Sequence, residues 1–135
     1  AKAHGLAATF TRLNLNSVRE TLAHGGLEAR GRPGDVDVYA RFLLHCLAPV
    51  SRENFWRYTA MVLSGGGRCF VEFRTRQDRG LPKHFAQRRH MVLATRAAAE
   101  GAERFGGQVV YEESGTGRAR FGEEDPHVCR MVVQW

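Results

Sequence analysis

Residues 35–74, DVDVYARFLLHCLAPVSRENFWRYTAMVLSGGGRCFVEFR, constrain the fold more than any other stretch of the chain. Residues 35–40 are a short β-rich run. Pro49 and Ser51 mark a helix start, and Phe55, Thr59, Val62 and Leu63 then recur at i, i+4, i+7 and i+8, one face of a helix. The glycines at 65–67 end that pattern, and residues 68–73 form a second β-rich run. Two strands joined by a helical crossover lie parallel in one sheet, with a right-handed connection. Ligands of open parallel sheets sit outside the carboxyl ends of the strands. Here those ends are residues 41–45 and 72–74, where any chemistry is expected.

The remaining segments extend this unit. Residues 8–15 alternate around Phe10, Leu13 and Leu15 and predict a strand. Ser17 and Glu20 have the spacing of a capping box. The helix that they open is expected to stop at Gly25 and Gly26. Residues 28–34 form a polar turn ending at Pro33 and Gly34. Residues 75–89 carry many charges with Gly80 and Pro82, and a structureless segment of that length in a compact domain is usually functional or disordered. A helix is predicted within residues 90–105, ended by Gly106 and Gly107. Strands follow at residues 108–113 and 127–134, with a brief return at 118–121. No helical pattern separates the last two long strands, so they are expected to pair antiparallel. The predicted fold class is α/β, in one domain over residues 1–135.

Composition narrows the function classes. The net charge of +6 comes from 20 basic and 14 acidic residues. Its arginines are scattered, which fits a solvated surface better than a nucleic-acid footprint. Three cysteines (Cys46, Cys69 and Cys129) without CxxC spacing point to a reducing, cytoplasmic setting and no metal site. No apolar run approaches the roughly 20 residues that span a bilayer. The chain opens at Ala1 without a Met, inside what reads as the end of a helix, and is expected to be a fragment or a processed product.

Taken in order, these elements resemble the carboxyl-terminal two-thirds of a class I S-adenosylmethionine-dependent methyltransferase. The resemblance rests on the D-x-D-V-Y strand running into ARFLLHCL, on Leu43-Leu44-His45-Cys46-Leu47 after it, and on Leu63-Ser64-Gly65-Gly66-Gly67 before the next strand. The closing hairpin agrees. It implies a Rossmann-like methyltransferase sheet missing its first two strands, and S-adenosylmethionine as cofactor. The family's glycine-rich cofactor loop and the acidic residue after its second strand have no counterpart here. The glycines at 65–67 follow a helix and precede a strand, the reverse of a phosphate cradle. A chain lacking those strands should need a missing amino-terminal half, a partner chain or self-association.

The resemblance also places candidate residues. Asn14 and Asn16 fall where the family touches adenine; the alternative is a turn pair at a helix start. Ala40, Arg41 and Phe42 would line the cofactor pocket, and Arg41 could hold a carboxylate on two nitrogens or pair with Glu72. His45 is a candidate general base, and Glu72 and Arg74 share one side of their strand beside it. His84, Arg88 and Arg89 sit in the loop that would cover a small or carrier-linked substrate. His127 is a weaker candidate beside the last strand. The leading expectation is methyl transfer. Two alternatives stay open: a non-catalytic methyltransferase-like module packed on a partner, and an RNA-binding or RNA-modifying domain suggested by the arginine excess.

Overall fold

The computed structural model describes residues 8–31, 36–81 and 93–135. Four strands form one mixed sheet: β1 (Asp37–Arg41), β2 (Arg68–Arg74), β3 (Gln108–Gly115) and β4 (Val128–Gln134), in the order β1-β2-β4-β3. β1 and β2 are parallel, with Asp37 opposite Arg68 and Arg41 opposite Glu72. β4 runs antiparallel to β2 and to β3, the latter pair forming the closing hairpin. Among the described residues, no helix is long and apolar enough to cross a membrane.

Among the described residues, three α-helices accompany the sheet: α1 (Val18–Gly31), α2 (Pro49–Val62) and α3 (Thr95–Glu103). α2 begins with Pro49 in its first turn, where a missing N–H costs nothing. It ends in a turn whose last residue, Gly67, has φ +141°; a Cβ there would meet the Val36 carbonyl oxygen at 2.3 Å, so only glycine fits. Cys69, Val71 and Phe73 of β2 alternate onto the helical side with Cys129, Met131 and Val133 of β4. Phe55 and Trp56 of α2 and Ala98 and Ala102 of α3 complete that core. Burial pushes the Cys69 thiol up to about 12 and the Cys129 thiol up to about 11.

Three expectations are corrected. Residues 8–15 form no strand; residues 8–12 are exposed, with Phe10 86% accessible, and the sheet therefore has four strands rather than five. Their alternation marks a segment that suits a sheet, yet among the described residues no strand pairs with it. The first helix, for its part, runs through Gly25 and Gly26 to Gly31. Gly25 is where α1 approaches α2 closely: a Cβ there would meet the Met61 sulfur at 3.1 Å. Tertiary packing thus overrides a local stop signal. The capping at Ser17 holds, its Oγ accepting from the Glu20 N–H at 3.2 Å. The return at 118–121 is reduced to a single bridge between Phe121 and Glu124.

Candidate functional site

At the carboxyl end of β1 the chain turns sharply. Ala40 is buried in the core, Arg41 points to the opposite face, and Phe42 adopts a left-handed backbone with φ +54°. That conformation is uncommon for a residue with a bulky side chain and is sustained only by its surroundings. The Phe42 N–H donates to the Glu72 carbonyl at 2.7 Å, and its carbonyl accepts from Cys46 Sγ at 3.4 Å. Its ring meets His45 edge-on at 5.9 Å and lies 4.9 Å from the Arg41 guanidinium and 5.9 Å from that of Arg74. His45, in the short 3-10 turn Leu44–Cys46, is only 2% exposed. Its Nδ1 accepts from the Arg74 backbone N–H at 3.2 Å, which places the ring proton of a neutral imidazole on Nε2.

Glu72 and Arg74 share one face of β2 but enter different networks. Arg41 Nε donates to Glu72 Oε1 at 2.8 Å, and Arg130 Nε donates to Oε2 at 2.7 Å. Burial alone would raise the Glu72 carboxyl, but hydrogen bonds from the two guanidinium groups outweigh it and hold the group below its ordinary value. Tyr39, Phe70 and Tyr111 stand around this ion cluster, framing an open cleft of about 380 Å³ on the sheet face. Arg74 instead reaches toward the β3–β4 connection, donating to Asp78 Oδ2 at 3.3 Å and to Glu124 Oε2 at 2.5 Å. Asp78 Oδ1 accepts the His127 N–H at 3.0 Å, and Thr75 Oγ1 lies 2.6 Å from His127 Nδ1.

Arg41, Phe42, His45, Glu72 and Arg74 are therefore brought together at one end of the sheet. Asn14 and Asn16 are not part of that group. Asn14 Oδ1 accepts from the Asn16 N–H at 3.1 Å, and Asn16 Oδ1 accepts from Ser51 Oγ at 2.5 Å. Asn16 thus fastens the start of α1 to α2, as does Asn54, whose Nδ2 donates to the Leu15 carbonyl at 2.8 Å, while Asn14 braces Asn16 locally. His84, Arg88 and Arg89 lie outside the described residues. Sequence reasoning missed Arg130, Asp78 and Glu124. Arg130 is directly opposite Glu72 in the β2–β4 register, a relation that the alternation of either strand alone does not reveal.

No family model matches the sequence, and no curated protein matches it. Solved structures do. A SAM-dependent methyltransferase from Anabaena variabilis superposes with a TM-score of 0.62 at 13% identity, over 98% of this chain and 61% of the other. A protein solved in work on the conversion of a disulfide bond into a thioacetal group during echinomycin biosynthesis gives 0.62 at 11%, over 98% of this chain and 57% of the other. The chain thus spans less than two thirds of each. At these identities the likeness shows the fold alone, a Rossmann-like sheet with helices.

S-adenosylmethionine presents an adenosine and a charged amino acid, and a pocket for it must grip both. Of the guanidinium groups near the Phe42 ring, that of Arg74 is held by Asp78 and Glu124, and Arg41, whose side chain is 51% exposed, is the more open. Glu72, the carboxylate nearest to it, is already held between two arginines. These groups make one wall and do not fit the whole cofactor by themselves.

Proposed function

We propose that this chain is the carboxyl-terminal portion of a SAM-dependent methyltransferase acting on a small or carrier-linked substrate. The observation that carries the reading is the left-handed turn at Phe42. It sets Arg41, Phe42 and His45 at the carboxyl end of β1, in a fold shared over 98% of the chain with a SAM-dependent methyltransferase. Open sheets of parallel strands bind ligands at that end. The terminal nitrogens of Arg41 are suited to a carboxylate, on the cofactor or on the substrate. His45, the candidate general base of the sequence, has its Nδ1 taken by the Arg74 N–H and so serves to position the turn, Glu72 orients Arg41, and Arg74 holds the wall behind Phe42. His84, Arg88 and Arg89 remain candidates for the substrate side, and Asn14 and Asn16 for the adenine side. The bound cofactor would supply an activated methyl group, so the chain's own part is positioning.

The test is calorimetric titration of S-adenosylmethionine into the 135-residue chain and into the longer product of its gene. Binding is expected only in the longer product and is expected to weaken about tenfold or more in Arg41→Ala, the loss of a charge-assisted hydrogen bond. No heat from either protein at millimolar cofactor would sink the methyltransferase reading. That outcome would favour the second reading, a non-catalytic methyltransferase-like module on a partner, which the uncovered sheet face supports.

A further inference from the structure

Two consecutive amides at the carboxyl end of β2 each go to a histidine. The Arg74 N–H is taken by Nδ1 of His45, in the turn after β1, and the Thr75 N–H by the carbonyl of His127, just ahead of β4, at 3.2 and 3.0 Å. Arg74 stands opposite Val128 in the β2–β4 register, so Thr75 and His127 extend that pairing by one residue. Alternation puts both side chains on the helical side of the sheet, with Phe73 and Cys129 of the core two residues away. His127 therefore stands at the end where open parallel sheets hold ligands, on the face opposite the Arg41–Glu72–Arg130 cluster.

His127 is fixed at every polar atom but one. Its N–H donates to Asp78 Oδ1 at 3.0 Å, its carbonyl accepts from Thr75, and its Nδ1 lies 2.6 Å from Thr75 Oγ1. Asp78 is itself held, its Oδ2 accepting from Arg74 and its N–H donating to the Thr75 carbonyl at 3.1 Å. The direction of the Thr75–His127 bond follows from burial. Thr75 is 0% exposed, and His127 Nδ1 is the one hydrogen-bond partner of its hydroxyl among the described residues. A buried hydroxyl whose hydrogen finds no acceptor is costly, so Thr75 donates and Nδ1 accepts. The ring proton of the neutral imidazole is then on Nε2. His45 is sealed at 2% exposure, whereas His127 is only partly buried, and its Nε2 meets no hydrogen-bond partner among the described residues. An imidazole that merely meets water needs no such anchoring.

We propose that the Nε2–H of His127 is a substrate-holding donor, and that its ligand is a carbonyl-type oxygen, of a carboxylate or of a neutral amide or ester. In this tautomer Nε2 has no lone pair with which to take a proton, so its part is to bind and orient. Thr75 sets the tautomer, Asp78 sets the backbone, and Arg74 holds Asp78 in turn. The donor is thus in place before a ligand arrives, which lowers the cost of binding one. The proposal rests on the reading of this sheet end as the substrate side of a transferase. It involves neither the cofactor nor a proton transfer.

Nuclear magnetic resonance of the 135-residue chain tests both parts. Long-range proton–nitrogen correlation of the neutral His127 ring should show a protonated Nε2 and an unprotonated Nδ1; the opposite tautomer would overturn the proposal. Sodium acetate and N-methylacetamide are the binding probes, titrated without cofactor while the His127 ring nitrogens and the Thr75 and Arg76 amides are followed. Saturable shifts with both probes assign a carbonyl oxygen in general, and shifts with one alone assign that form of it. His127→Gln, whose amide N–H reaches near the place of Nε2–H, should keep the response at the two amides. His127→Asn, whose amide reaches only as far as Nδ1, should keep the Thr75 bond and weaken the response about tenfold or more. Thr75→Val should weaken it as well, and Thr75→Ser should not. No saturable shift from either probe would overturn the proposal, as would an undiminished response in His127→Asn. Oxygen binding at His127 with no S-adenosylmethionine binding by the longer gene product would keep this site and defeat the methyltransferase reading; cofactor binding with no response at His127 would do the reverse.

Discussion

On one side of the sheet, Cys69, Val71, Phe73, Cys129, Met131 and Val133 are each at most 3% exposed beneath α2 and α3. On the other side of the same strands, Tyr39, Phe70, Tyr111 and Val132 surround the Arg41–Glu72–Arg130 ion cluster in the open. The backbone treats both sides alike, since alternation sends every second residue each way. What differs is the cover. The closed side holds the energy that keeps this chain folded. The open side holds an ion cluster in a cleft.

The sharpest way to break that contrast is a pair of phenylalanines three residues apart. Phe73→Ala should cost about 3–5 kcal/mol, because a fully buried ring leaves a cavity. Phe70→Ala should cost about 1 kcal/mol or less; urea denaturation midpoints measure both. Arg74→Met comes next, at about 3 kcal/mol, since it leaves Asp78 and Glu124 as buried carboxylates that have lost their shared guanidinium. Similar costs for Phe70 and Phe73 would mean that the open side is closed in solution.

Glu72→Gln should cost about 1 kcal/mol, because Arg41 and Arg130 remain half exposed and solvated. Its folded carboxyl lies below the ordinary value of 4.5, so the stabilisation is full above that pH. It is lost as pH falls through the lower folded value. The difference between wild type and Glu72→Gln should therefore be constant at neutral pH and shrink below about pH 4.5, a trend that denaturation at stepped pH would show. Smallest of all, Tyr39→Lys should change the stability of the 135-residue chain by no more than about 0.5 kcal/mol. A larger loss would show that Tyr39 is covered in the chain by itself.

Much of the architecture was legible. The spacing of Phe55, Thr59, Val62 and Leu63, with glycines at 65–67, announced the β1–α2–β2 unit, and the absence of a helix between the last strands announced the hairpin. The pairing of Arg41 with Glu72 stood only as the alternative to a ligand-holding role for Arg41, and it is the pair that the structure shows. Residues 8–15 misled because alternation reports which side chains suit a sheet, not whether a neighbour exists. Gly25 misled because a glycine that ends a helix and one that lets two helices touch look the same in sequence. The Arg74 cluster was out of reach for another reason. Asp78 lies close in sequence, but Glu124 is 50 residues away, and only the folded β3–β4 connection brings it near.

The three cysteines divide along the same line as the sheet faces. Cys69 and Cys129 are sealed in the core with thiols raised to about 12 and 11, while Cys46 is exposed one residue beyond His45. A maleimide or disulfide reagent at mild pH should consequently count one reactive thiol in the native chain and three after denaturation. The molecule thus carries its own single attachment point for a fluorophore or spin label. That point sits at the mouth of the candidate site, where arrival of a ligand or of a covering segment would be seen without changing a residue.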